Sequence, residues 1–212
     1  METSVPRRIE AVFEVLAVGF GGWVMIILAL GAFGVQAVGS LLQPVWLAVT
    51  LVAEALLTLV IIGFLDRSDP SQPGVFSLFR WSPGIIPASL AAAPLLLLTV
   101  SFTGWVFEIS FPQWASEGNP LLEKIKTPWD LGAFLAAGII AGGIREEVQR
   151  AFLLLRFERH LGGIYPGRII WSLVFGHGHY EQGWSSTFSA AVLGLIFGGI
   201  FIWKRKPDRV SL

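Results

Sequence analysis

Long apolar runs, separated by short clusters of charged and turn-forming residues, set the pattern of the chain. Four of them, residues 15–38, 44–65, 84–107 and 184–203, each reach the roughly 20 helical residues needed to cross a hydrocarbon core of about 30 Å. Between the second and third lies Asp-Arg-Ser-Asp-Pro-Ser-Gln-Pro-Gly, and a polar segment with Pro112, Gly118 and Pro120 joins Glu108 to Thr127; both predict loops. Thr127-Pro128-Trp129-Asp130 predicts a helix start, with Thr127 as N-cap, proline in the first helical position and an acid three residues after the cap. From there the pattern stays helical until His160-Leu161-Gly162-Gly163, where glycines stop it. A shorter apolar piece, residues 169–175, follows Arg168 and precedes His177 and His179. The expectation is an all-α, multi-pass transmembrane helical bundle of about six membrane segments. No internal repeat, low-complexity tract or soluble domain is visible.

Composition agrees with a lipid solvent: 54% of residues are hydrophobic and 14% charged, with a mean hydropathy of +0.68. Lys plus Arg and Asp plus Glu stand at 15 each, so no basic excess points to a nucleic-acid partner. The absence of cysteine excludes disulfides, thiol nucleophiles and cysteine-held metal clusters. At the N-terminus the apolar run is too long for a signal-peptide core and lacks a small-residue cleavage site, so it predicts a first membrane anchor. The basic residues then set orientation. With the N-terminus inside, Arg7, Arg8, Arg67, Arg80, Arg156, Arg159, Arg168, Lys204, Arg205, Lys206 and Arg209 fall on the inner side and only Lys124 and Lys126 on the outer. The prediction is a cell-membrane protein with both termini cytoplasmic.

Against this background the run Arg145-Glu146-Glu147-Val148-Gln149-Arg150 stands out. Glu146 precedes Arg156, a marker of the inner interface, by ten residues, which at 1.5 Å per residue puts it roughly 15 Å deeper. His179, counted from Arg168, lies roughly 17 Å in by the same rule. Ionisable groups at such depth are costly and usually functional; the competing explanations are a structural ion-pair network and a shorter helix with an interfacial cluster. Arg150 is spaced to hold either Glu146 at i+4 or Glu147 at i+3. Two adjacent carboxylates in a low dielectric do not both ionise cheaply, so their titrations are coupled, an arrangement suited to a general base. Gly138 and Gly142 offer a small-xxx-small face for a close neighbour. His177 and His179 form an HxH pair open to metal ligation or to structural hydrogen bonding. For Glu14 and Glu54, interfacial snorkelling or a helix-helix hydrogen bond is expected.

The inventory narrows the membrane chemistry. His-Glu-x-x-His, the zinc signature, is absent. Gly183-Trp184-Ser185 has the start of a rhomboid-like serine motif, but no histidine follows it, and Asp66, Asp69, Asp130 and Asp208 do not supply a presenilin-like pair within membrane helices. Glutamate and histidine remain. Glu146-Glu147-x-x-Arg150 followed by Phe175-x-x-x-His179 resembles the first two motifs of the CAAX prenyl protease family, also called CPBP or Abi, whose pattern is EExxxR and then FxxxH. The resemblance covers roughly residues 128–203, including Arg-Phe-Glu-Arg-His-Leu-Gly-Gly. It implies that Glu146 is the catalytic base and His179 its partner in activating water, with Glu147 and Arg150 supporting. Two departures accompany it. Arg150 falls one residue early, with Ala151 at the family's arginine position. The family also carries a further helix with a second histidine and an Asn or Asp that help bind the oxyanion, whereas no histidine follows His179 here. A truncated chain, a substitute group and an inactive protein all fit that gap.

The resemblance divides the chain into N-terminal membrane helices and loops over residues 1–127, a CAAX protease-like core over 128–205, and a cytoplasmic tail over 206–212. It implies an intramembrane endopeptidase that hydrolyses membrane-associated protein or peptide substrates with a glutamate-activated water, its partners being the lipid bilayer and that substrate. The cofactor stays open between a divalent metal such as zinc, for which Glu146 and His179 would be ligands in need of others, and none. The alternatives are a non-catalytic membrane immunity or binding protein on the same scaffold, and a small transporter using the charged cluster as a proton relay. Substrate identity and oligomeric state are not legible.

Overall fold

The computed structural model describes residues 4–32, 44–67, 74–79, 83–115 and 122–205. Outside them lie residues 33–38 of the first predicted span, loop residues 68–73, Arg80, residues 116–121 of the polar segment, and the predicted tail with Lys206 and Arg209. The described chain is all-α, without strands, and the protein is a membrane helical protein. Its helices are α1 (Val5–Leu16), α2 (Gly22–Ala32), α3 (Pro44–Arg67), α4 (Ile85–Ser110), α5 (Pro128–Ala137), α6 (Glu146–His160), α7 (Ile164–His177) and α8 (Trp184–Lys204). Two π-helical segments, Ala17–Gly21 and Gly138–Arg145, join α1 to α2 and α5 to α6. Four stretches are long and apolar enough to cross a membrane: Val5–Ala32, Pro44–Arg67, Ser89–Ser110 and Trp184–Lys204.

Boundaries move where charge obscured them. The first helix begins at Val5 rather than at residue 15, because Pro6 is compatible with a first turn and Arg7 and Glu10 form a 2.7 Å ion pair one turn apart. Helix α7 likewise starts before the predicted apolar piece. The predicted start at Thr127 is borne out by a full capping box: the Thr127 hydroxyl accepts from the Asp130 amide at 3.1 Å, and the Asp130 carboxylate accepts from the Thr127 amide at 2.9 Å. The glycine stop is borne out too. Gly162 and Gly163 have φ of 94° and 113°, and the Gly163 amide turns back onto the Phe157 carbonyl at 2.9 Å.

The chain divides into two units, each described by itself: Met1–Phe76 with Leu121–Gly167, and Ser77–Pro120 with Arg168–Leu212. In the first, α6 is the buried element. Every residue from Val148 to Phe157 is buried, although this helix carries more charge than any apolar span. The spans show the reverse, with Leu28, Val60 and Phe64 largely exposed. Such inversion is the solution to a lipid solvent, which rewards apolar surface outside and pairs polar groups inside. Small residues let the backbones close: Ala11, Ala48, Ala55, Ala137, Ala141 and Ala151 are all buried.

In the second unit α4 and α7 pack on α8. The Thr103 hydroxyl donates to the Ser189 hydroxyl at 2.9 Å between α4 and α8. Gly194 and Gly198 of α8 lie against Ser172 and Arg168 of α7, one turn apart on each helix, and Arg168 Nε donates to the Leu195 carbonyl at 2.8 Å. These two glycines form a packed small-residue seam. The face predicted at Gly138 and Gly142 is exposed, with open space where a side chain would grow, because the glycines sit in a π segment whose buried side is Ala141.

Candidate active site

The predicted side chains fall in both units: Glu146, Glu147 and Arg150 in the first, His179 in the second. The π segment Gly138–Arg145 ends where Glu146 opens α6, and such wide turns are frequent at functional sites. Consecutive residues point about 100° apart on a helix, so the two glutamates meet different partners. Arg150, 2% exposed, pairs with Glu147, whose side chain is 42% exposed. Glu146, with a side chain 17% exposed, has Arg145 Nη2 at 3.8 Å from its Oε1. Of the two pairings that spacing allows for Arg150, the i+3 partner has the hydrogen bond.

Arg145 is held by others. Its Nη2 lies 3.3 Å from Glu54 Oε2 on α3, and its Nη1 donates to Gln149 Oε1 at 2.7 Å. Glu54 Oε1 accepts from the Thr58 hydroxyl at 3.1 Å. Gln149, 2% exposed, donates from Nε2 to the Val18 carbonyl at 2.7 Å. Val18 sits in the first π segment, where widening of the ladder leaves carbonyls to seek other donors. Gly22 completes the approach: a β-carbon there would stand 3.2 Å from the Glu54 carbonyl oxygen. Helices α1–α2, α3 and α6 are therefore joined through one buried polar chain. Glu54 makes an interhelical ion pair in place of the expected snorkelling or helix-helix hydrogen bond, and so does Glu14, which pairs with Arg156 beneath the Phe152 ring. Arg145, Gln149 and Glu54 were missed as a set. Their signal was a lone acid in one apolar run and a lone base beside another, mutually compensating in lipid.

His179 corrects a second expectation, since it lies just past α7 rather than on it. The helix ends at His177, the His179 amide tightens onto the Gly176 carbonyl at 2.9 Å, and a 3-10 turn, Tyr180–Gln182, follows. Its Nδ1 is 2.9 Å from the Phe175 carbonyl oxygen. A carbonyl only accepts, so Nδ1 donates and the neutral ring keeps Nε2 as its basic nitrogen. The Phe175 ring lies 4.7 Å from the imidazole at 58°, so the phenylalanine of FxxxH fixes the histidine twice, by backbone and by ring. His177 turns instead to the Tyr180 ring, 6.2 Å away. Among the described residues no three His, Cys, Asp or Glu side chains cluster as a metal site.

Residues 127–206 match the family model described as Rce1-like, type II CAAX prenyl endopeptidase Rce1-like. The match opens on the helix cap Thr127 and spans the glutamate pair, Arg150, Phe175 and His179. No curated protein and no solved structure matches the chain. Over residues 127–206 the chain is thus similar to the CAAX prenyl protease family.

Proposed function

We propose that the protein is an intramembrane endopeptidase of the cell membrane that cleaves membrane-associated protein or peptide substrates. Glu146 is its base and deprotonates the attacking water; His179, through Nε2, orients that water or passes its proton on; Glu147 and Arg150 support the base. The observation that carries the reading is the division of labour within the Rce1-like stretch: Arg150 bonds to Glu147, while Glu146 and Arg145, 3.8 Å apart, keep a longer and weaker contact than a hydrogen-bonded pair. Residues 128–205 form the catalytic core in this reading, and the helices before them support it. Both termini face the cytoplasm, in keeping with Arg7, Arg8, Lys204 and Arg205 at the ends of the first and last helices.

The decisive experiment is cleavage of a membrane-associated reporter peptide by wild type, Glu146→Gln, Glu146→Ala and His179→Ala. Loss of the base lowers kcat by about 10²–10⁴. Turnover undiminished in Glu146→Gln would overturn the mechanism.

A further inference from the structure

We infer that Glu54 of α3 is a positioning residue for Glu146 and acts through Arg145. The inference rests on the proposed role of Glu146 as base. Arg145 is the immediate neighbour of that carboxylate, and a guanidinium released beside it would close on it as a bidentate ion pair and occupy the lone pairs that must take the proton from water. The structure shows what prevents this. Glu54 Oε2 is closer to Arg145 Nη2 than Glu146 Oε1 is, 3.3 Å against 3.8 Å, and the Gln149 side-chain oxygen takes the second arm of the fork at 2.7 Å. Glu54 is itself fixed, 7% exposed, with Thr58 on its other oxygen. Gln149 is anchored to the Val18 carbonyl at 2.7 Å. The guanidinium is thus turned from the end of the π segment toward α3, at the position where that segment hands over to Glu146.

A double-mutant cycle tests this in the full chain. With the reporter peptide, Glu54→Gln is expected to lower kcat by about tenfold with KM within about twofold, and in the Arg145→Gln background, where no guanidinium is left to close on Glu146, to change kcat by less than about threefold. Glu54→Asp restores kcat to within about threefold, and additive losses would refute action through Arg145. Should Glu54→Gln fail to fold, Arg145→Lys, which keeps the charge but loses the fork, is expected to show the same kcat loss; an unaltered kcat overturns the inference.

An activity-free arm separates this idea from the proteolytic reading. The chain has no cysteine, so Glu146→Cys places a single thiol at the site, and its rates with an anionic and a cationic methanethiosulfonate probe sense the local potential. Glu54→Gln is expected to raise the anionic-to-cationic ratio about tenfold when Arg145 is present and less than about threefold in the Arg145→Gln background. Equal effects in the two backgrounds refute the coupling. A chain that cleaves no reporter yet shows the coupled thiol response disproves the protease reading and leaves the placement of Arg145 standing.

Discussion

Glu146 and Glu147 are adjacent in the chain and unlike in environment, because one residue of helix rotation separates a carboxylate beside Arg145 from one bound to Arg150. The same rotation makes Arg150 a supporting group in the proposed mechanism. Glu147→Gln keeps a hydrogen-bond acceptor for Arg150 but removes its charge, so cleavage is expected to fall less than in Glu146→Gln; peptide assays of the two variants side by side give the order, and the reverse order would exchange their roles. EExxR and FxxxH were legible as residues. Which carboxylate the arginine takes was not, since i+3 and i+4 are both within reach on one helix and side-chain packing decides between them. Nor did spacing show that His179 leaves its helix, because Gly178 stands at the break and glycine tolerates helix and turn alike.

Helices in this protein join through small residues and buried ion pairs. The Glu14–Arg156 pair ties α1 to α6, with side chains 18% and 5% exposed. Glu14→Gln leaves the arginine buried without its carboxylate and is expected to cost about 3 kcal/mol in reversible unfolding in detergent, whereas replacing both residues by apolar ones of similar volume costs much less. Glycines divide in the same way. At Gly176 a β-carbon would lie 2.7 Å from the Thr187 carbonyl oxygen of α8, and at Gly138 it meets nothing within 4 Å. Gly176→Ala should therefore lose about 1–3 kcal/mol, and Gly138→Ala should stay within about 0.5 kcal/mol of wild type. Equal losses would contradict the packing described. The helix starts and stops at Thr127 and Gly162–Gly163 were readable because caps are local; the useful glycines were not, because the helix facing each one is a tertiary fact.

For the whole molecule, hydropathy and burial run in opposite senses: the most apolar helices expose their side chains, and the helix with the motif is enclosed. That arrangement requires lipid around the apolar spans. In the proposed orientation a cysteine introduced at Ser4 is labelled by an impermeant reagent only from the cytoplasmic side and one at Lys124 only from the opposite side. Labelling of both from one side would invalidate the topology. The absence of native cysteine makes each label unambiguous.

The sequence by itself determined that the chain is a helical membrane protein, where several helices begin and end, and which family its motifs resemble. These properties depend on composition and on residues within a turn or two of one another. Only the tertiary structure decided that Glu54 meets Arg145, that Gln149 reaches the Val18 carbonyl from 131 positions away, and that Gly194 and Gly198 form a packed seam. In lipid a buried charge or amide must find a partner wherever the fold brings one, and sequence distance places no limit on that search.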